Sequence, residues 1–296
     1  MTDVSVIILN WNKPSLTIAC VRSVLKQKYP SFNIILVDNG STDDSVAQFR
    51  KAFSSNKRIR IVVNNTNEGY AGGNNVGVQH ADGNYVVILN NDTLVQPGWL
   101  AELVKALEAD PSHAAAESWV LEGDKVHIPL RDRFWTMGLG GYAVLCRGKR
   151  EPYPKTFYPS GCSFIFRRNL ASRPFDPDYF IYAEDTYLGW LLRLRGYHIV
   201  TNKKSIVEHQ LGTVKRSNPK IMHRFTFLGE RNKLTNFLIF PTSWTLLRLL
   251  PILFLNIMCI NIIMPKKILW RLQAYGWLLA HPGWVYRKRR SVQQQR

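Results

Sequence analysis

The last carboxylate side chain in this 296-residue chain is Glu230, and residues 231–296 contain no Asp or Glu. Cysteine is almost as scarce. The four present (Cys20, Cys146, Cys162, Cys259) are scattered with no C-x-x-C pair, which excludes a zinc knuckle and a disulfide-stapled scaffold and fits a reducing compartment. The opening residues Met1-Thr-Asp-Val-Ser-Val show no basic stretch followed by an apolar one, so no secretory leader is expected there. Charged residues make up only 20% of the chain, too few for a disordered polymer. No internal repeat or low-complexity stretch is visible.

What is present is apolar and basic. The chain is 46% hydrophobic and 12% aromatic, with a formal net charge of +18. Residues 1–110 balance, with ten basic and ten acidic side chains; residues 111–230 carry eighteen against eleven, and residues 231–296 carry eleven against none. Such asymmetry points to an anionic partner at the C-terminal end, nucleic acid or an acidic membrane surface. The basic residues are interspersed among long apolar runs rather than lining a polar groove, which favours membrane over nucleic acid.

The N-terminal half alternates strand and helix patterns. Residues 4–9 form an apolar run suited to a strand covered on both faces, followed by a loop at Asn10–Ser15 and helical spacing over Ser15–Gln27. A second strand is expected at Asn33–Val37, a helix near Asp44–Phe53, and a third strand at Ile59–Val63. A glycine-rich loop over Asn67–Gly77 should lead into a helix around Asn75–Ala81. A fourth strand at Tyr85–Leu89 stops at Asn90-Asn91-Asp92, and Leu94–Ala109 again has helical spacing. Alternation of this kind predicts a parallel α/β sheet with ligands at the carboxyl ends of its strands. Residues 117–160 read as irregular or antiparallel, Ser163–Arg167 and Tyr197–Thr201 as strands, Ala183–Arg195 as a helix closed by Gly196, and Ser205–His209 as a further short extended piece.

The tail differs from all of this. Residues 237–264 are mostly apolar but interrupted by Pro241, Arg248, Pro251, Asn256 and Asn261. Between Arg248 and Lys266 lie 17 residues, at the lower edge of a spanning length, and the interruptions favour helices lying in the membrane interface. Trp270, Tyr275, Trp277, Trp284 and Tyr286 are aromatics of the headgroup depth, and Arg287-Lys288-Arg289-Arg290 suits anionic lipid.

Several residues can carry chemistry. Asp38 and Asp92 both follow strands, which sets carboxylates along one edge of the sheet, although either alone is an ordinary turn or cap residue. Between them, Gly69-Tyr-Ala-Gly-Gly-Asn-Asn-Val-Gly77 offers backbone amides to a ligand, but matches neither the G-x-G-x-x-G fingerprint nor a Walker A loop. Glu184-Asp185 opens a helix, either as first-turn charges complementing the dipole or with Asp185 as a general base. His209 can be a core histidine or a ligand.

Val6-Ile-Ile-Leu-Asn-Trp-Asn12, Val37-Asp-Asn-Gly-Ser-Thr-Asp43, Asn67–Gly77, Leu89-Asn-Asn-Asp92, Phe175–Asp185 and Glu208-His209, in that order, resemble the family 2 glycosyltransferases. The closest branch looks like the rhamnosyltransferases that act on polyprenyl-diphosphate-linked sugars. The resemblance covers about residues 4–210. It implies a GT-A fold, α/β with a Rossmann-like, mostly parallel sheet flanked by helices, using a nucleotide diphosphate sugar (dTDP- or UDP-linked) with inversion at the anomeric carbon. Residues 1–230 would be the catalytic domain, with a nucleotide-binding half at 1–110 and an acceptor half at 111–230. Residues 231–296 would be a helical extension holding the enzyme peripherally on the cytoplasmic face of the membrane, where a lipid-linked or glycan acceptor is presented.

Carried over residue by residue, Asp38 would contact the pyrimidine, Asn10 and Asn12 would line the nucleotide site, and Gly72, Gly73, Asn74 and Asn91 would border the donor. Asp92 would bind a divalent ion, Mg²⁺ or Mn²⁺, with His209 as second ligand. Asp185 would be the base, with Glu184 beside it in the catalytic pair. Asn90 and Asn91 depart from the family's Asp-x-Asp, leaving one fewer carboxylate for the ion. Rival classes are a nucleotidyltransferase, which needs a basic glycine-rich loop where Asn10-Trp-Asn-Lys-Pro stands, and an inactive membrane-tethered sugar binder, which has no need of Asp92, Asp185 and His209 together.

Overall fold

The computed structural model describes residues 3–122, 133–137, 143–147, 152–210 and 219–295. Strands β1 (Val4–Asn10), β2 (Phe32–Asp38), β3 (Ile59–Val63) and β4 (Tyr85–Asn90) alternate with helices α1 (Pro14–Leu25), α2 (Ser45–Phe53) and α3 (Gly69–Gln79). β5 (Thr93–Val95), α4 (Trp99–Glu108) and β6 (His113–Glu122) follow, then β7 (Arg133–Met137), β8 (Ala143–Arg147), β9 (Lys155–Thr156), β10 (Ser163–Arg167), α5 (Glu184–Leu194) and β11 (His198–His209). The chain closes with α6 (Pro219–Ile239), α7 (Ser243–Ile263), α8 (Ile268–Ala280) and α9 (Pro282–Gln293).

The main sheet runs β3-β2-β1-β4-β10-β6-β11-β5, with β9 added to β11, and β7 and β8 pair separately as a two-stranded antiparallel sheet. β3, β2, β1 and β4 are parallel, β10 is antiparallel to both its neighbours, and β6 and β11 are parallel again. The two-residue period of the strands divides the core. Val4, Val6 and Ile8 join Ile34, Leu36, Val87 and Leu89 under α1, α2 and α4, while Ile7, Ile35, Val37, Val86 and Ile88 lie under α3 and α5. This is the GT-A-like α/β arrangement that the motifs imply.

Four local expectations need correction. The glycine-rich segment is not a loop: α3 begins at Gly69. Its glycines let the helix sit close to the sheet, since a Cβ on Gly77 would lie 2.4 Å from Ile7 Cγ2 and one on Gly73 would lie 2.6 Å from Leu9 Cδ1. Leu94 belongs to a short strand, with α4 starting only at Trp99 after the left-handed Gly98. Residues 117–122, read as irregular or antiparallel, belong to β6, which pairs parallel with β11 and whose Ala114, Ala115 and Ala116 are fully buried. Alanine is a poor strand former in isolation, and here the neighbouring strands decide. Finally, the two extended pieces at 197–209 are one strand with an irregular register between Asn202 and Ile206.

The glycine packing makes a direct prediction. Gly77→Val should cost about 1–3 kcal/mol, as overpacking does, read as a lower denaturation midpoint. An unchanged midpoint would mean that α3 can back away from β1.

In the tail, Pro241 separates two helices, as an interrupted run should, but Pro251 sits inside an unbroken α7 of 21 residues. α6 runs without a break through residue 230, so a boundary placed there falls within a helix.

Candidate functional site

Strand register brings the first group of residues together. β1 pairs Asn10 with Asp38 on one side and Leu9 with Asn90 on the other, so three polar residues share the carboxyl edge of the sheet. Asn10 is fully buried and donates through Nδ2 to Asp38 Oδ1 (2.9 Å) and to Ser41 Oγ (3.1 Å). Asp38 is also buried, accepting from Ser41 N (3.0 Å) and Ser41 Oγ (2.6 Å). Its carboxylate therefore shapes the 38–41 turn from beneath, rather than standing open to a base. Asn12, in the left-handed region at φ 54°, accepts from Thr42 N (2.8 Å) and fixes the other side of that turn.

The network continues to the fourth strand. Thr17 Oγ1 donates to Asn10 Oδ1 (2.7 Å) and accepts from Asn91 Nδ2 (2.8 Å), which ties Asn91 to the first strand's loop. Asn39, not singled out from sequence, donates to Asn67 Oδ1 and Gly69 O and accepts from Asn64 Nδ2 and Glu68 N, locking the segment before α3 onto β2. Gly73 and Asn74, expected at the donor, are instead interior. Gly73 faces Leu9 and Asn39, and Asn74 donates to Tyr70 O within its own helix. Gly72 sits over Glu68.

Asp92 and His209 meet as expected. His209 closes β11 opposite Thr93 of β5, and its Nε2 lies 3.1 Å from Asp92 Oδ1. Both side chains keep part of their surface, 15% and 18% respectively. A divalent ion that bridges two phosphates takes one or two protein ligands and fills its other positions with phosphate oxygen and water. A carboxylate and an imidazole converging at partial exposure fit that demand, and an imidazole tilts the choice toward Mn²⁺. Among the described residues there is no cluster of three or more His, Cys, Asp or Glu, so within them the ion would have this pair.

The second carboxylate pair opens α5. Asp185 Oδ1 accepts from Thr186 N (2.6 Å), while its Oδ2 faces Gly161. Glu184 is buried behind it, and its Oε2 has no hydrogen-bond partner among the described residues. Burial lifts the Asp185 carboxyl above the ordinary carboxylate range, partly offset by the Thr186 amide and hydroxyl. Burial and then the neighbouring Asp185 charge lift Glu184 further. Two adjacent carboxyls cannot both ionise cheaply, so the pair holds a proton to higher pH than an isolated carboxyl would.

Tyr70 joins the two pairs and gives no sign of it in the sequence. Its hydroxyl donates to Gly161 O (2.5 Å). It is pushed well above the usual tyrosine range by burial first, then by the charges of Glu184, Asp185 and Asp92, among others. Tyr70 Oη and Asp185 Oδ2 both face Gly161, within 4 Å of where a Cβ on that residue would stand. Glu117 supports the same loop from below, accepting from Ser160 N (2.7 Å) and Thr201 Oγ1 (2.5 Å), with burial raising its pKa to about 7.

The approach to α5 is strained. Phe180, Tyr182 and Ala183 all have positive φ (60°, 72° and 63°), and non-glycine residues held there cost on the order of 1–3 kcal/mol each. Such strain persists only where surrounding structure over-determines it, and it concentrates at functional sites.

Residues 5–173 match the family model of glycosyl transferase family 2. An uncharacterised glycosyltransferase of Haemophilus influenzae is 28% identical over 117 residues, 40% of this chain and 36% of that one. The Escherichia coli protein WfgD, a UDP-Glc:alpha-D-GlcNAc-diphosphoundecaprenol beta-1,3-glucosyltransferase, is 30% identical over 98 residues, 33% of this chain and 36% of its own length. The matched stretch thus spans about a third of each of these relatives. In fold, the chain is similar to the mannosyltransferase PcManGT of Pyrobaculum calidifontis, solved with GDP-Man and Mn²⁺, at a TM-score of 0.62 and 20% identity over 94% of this chain and 75% of that one. The family model covers more than half of the chain, and the protein belongs to glycosyl transferase family 2.

Proposed function

We propose that the protein is an inverting glycosyltransferase that moves a sugar, rhamnose by its branch resemblance, from a dTDP- or UDP-linked donor to a hydroxyl of a lipid-linked or glycan acceptor in cell-surface glycan synthesis. The observation that carries this reading is geometric: the Asp92–His209 pair follows Asn90, whose N donates to Cys162 O, and Tyr70 Oη and Asp185 Oδ2 both face the adjoining Gly161. The E. coli relative's lipid-diphosphate acceptor supports the same acceptor class here.

In this reading the turn held by Asn10, Asn12 and Asp38 receives the nucleoside, and Asp92 and His209 would hold the divalent ion. When bound, that ion neutralises charge growing on the departing diphosphate. Asp185 Oδ2 accepts the acceptor hydroxyl's proton as that oxygen attacks the face of the sugar opposite the diphosphate. The new C1–O bond forms as the C1–O–phosphate bond breaks, and nucleoside diphosphate leaves. Glu184, buried beside Asp185, disfavours a second negative charge at the same spot.

Peripheral attachment to an anionic membrane belongs to the same proposal. Leu246, Leu249, Leu253 and Ile257 form a stripe on α7 that packs with α6 and α8, while Leu247, Leu250, Phe254, Leu255, Met258, Ile262 and Ile263 on its other sides are exposed. α7 is long and apolar enough to cross a membrane. Yet α9 returns to the same body: Arg289 donates to Leu238 O at the end of α6, and Lys288 to Asp176. With both ends tethered to one body, lying in the interface fits better than spanning.

A donor screen tests the assignment: full-length protein with a panel of nucleotide sugars, scored by release of nucleoside diphosphate, with and without EDTA. Release from one donor, lost in chelator and restored by Mn²⁺ or Mg²⁺, is expected. Full activity in excess chelator would remove the ion from the mechanism, and no release from any donor would sink the enzymatic reading.

A further inference from the structure

Two asparagines on α6 reach the strained loop that precedes the base. Asn232 and Asn236 stand four apart on α6 and so share a face, and both are buried. Asn232 Nδ2 lies within hydrogen-bond distance of three consecutive-loop carbonyls: Tyr179 O (2.9 Å), Ile181 O (3.0 Å) and Tyr182 O (2.8 Å). Its Oδ1 accepts from Arg231 Nε (3.0 Å) and Nη2 (2.8 Å). A guanidinium only donates, so it fixes which way the amide points. Asn236 Nδ2 donates to Ala183 O (3.0 Å), and its Oδ1 accepts from Tyr179 Oη (2.6 Å).

The carbonyls held this way belong to the positive-φ run itself and to its borders. The same run touches both halves of the site. Phe180 O accepts from Ala71 N (3.1 Å) in the first turn of α3, and Phe180 packs so tightly on Gly69 that a Cβ there would lie 2.4 Å from its carbonyl oxygen. Ala183 O also accepts from Tyr187 N (2.9 Å), opening α5 two residues before Asp185. One short segment thus sets α5, which carries Asp185, against the first turn of α3, in a backbone conformation that non-glycine residues avoid unless held.

Resting on the reading of Asp185 as the base, we infer that Asn232 and Asn236 are positioning residues for sugar transfer, clamping residues 179–183 so that Asp185 Oδ2 is held facing Gly161. They touch no substrate. Their contribution is geometric, and small displacements of a reacting group are enough to slow a reaction strongly.

The test uses full-length Asn232→Ala and Asn236→Ala, with the donor selected by the screen and release of nucleoside diphosphate as the rate. kcat should fall by about 10- to 100-fold, while donor KM and calorimetric UDP affinity stay within about threefold. Hydrogen exchange should quicken over residues 180–187 and remain unchanged in the sheet. Tyr179→Phe is the gentler variant, removing only the hydroxyl given to Asn236, and should lower kcat several-fold with the same unchanged KM. The inference is overturned if Asn236→Ala and Tyr179→Phe keep wild-type kcat. It is equally overturned if kcat and UDP affinity fall while KM rises, since that marks general damage. Turnover retained in Asp185→Asn would remove the base assignment alone. The clamp is judged separately, by the split between kcat and KM in its own variants.

Discussion

Asp185→Asn should bind nucleotide like the native protein and turn over at least about 10²-fold more slowly, the lower end of what a positioned base contributes. The amide keeps the shape and can still meet Thr186, but it cannot take a proton from an acceptor hydroxyl. The pH dependence should carry the same signature. Burial holds the Asp185 carboxyl above the ordinary range, so activity should fall as pH drops through that raised value, well before an exposed aspartate at about 3.9 would protonate. Stability should move the opposite way. A carboxyl raised by burial favours the folded state while neutral, and that contribution is lost as pH rises through its folded pKa. Asp185→Asn and Glu184→Gln should therefore melt higher than the native protein near pH 8, with the difference closing at pH values below the ordinary carboxylate range (about 4). Loss of UDP affinity in parallel with turnover would make Asp185 a structural residue. An unchanged melting temperature near pH 8 would mean that its charge is better solvated than its surroundings indicate.

Much of the sheet was legible because its strands are buried on both faces and read as unbroken apolar runs: Val4–Asn10, Phe32–Asp38 and Tyr85–Asn90 lie within a residue or two of where hydrophobicity places them. The failures have physical causes. Ala114–Ala116 look like no strand, because their extended form is imposed by β10 and β11. Gly69–Gly77 look like a loop, because glycine's usual meaning is turn, whereas here Gly73 and Gly77 let the helix sit close to the sheet. Among site residues, the meeting of Asp92 with His209 across 117 positions followed from motif order, and the structure brings the two together. Asn39, Tyr70 and Glu117 could not be found that way, since each acts through a partner far away in sequence. Asn232 and Asn236 carried a faint signal, two amides at helical spacing just past the last acidic residue, but that stretch reads first as the start of an apolar tail.

The tail's chemistry leads to the second large effect. Replacing Leu250, Phe254, Met258 and Ile262 together with serine should weaken binding to anionic vesicles by more than about 10³-fold, because each apolar side chain buried in an interface contributes about 1.5–3 kcal/mol. All four are exposed on α7, and none belongs to the stripe that packs on α6 and α8, so the catalytic body should keep its nucleotide affinity. Salt should behave differently from these substitutions. The basic residues add about 1 kcal/mol each near an anionic surface, and that part is screened while apolar burial is not. High salt should thus release the native protein only partly, and detergent fully. Substitution is a cleaner probe than truncation near residue 235. That cut removes Asn236, which holds Ala183 O, and Lys288, which pairs with Asp176 and Asp178 ahead of the strained loop, so it should damage turnover for reasons unrelated to lipid. If the four-serine variant still floats with vesicles at low salt as the native protein does, α7 is not the anchor. If it loses nucleotide affinity instead, the exposed face of α7 supports the catalytic body rather than meeting a membrane.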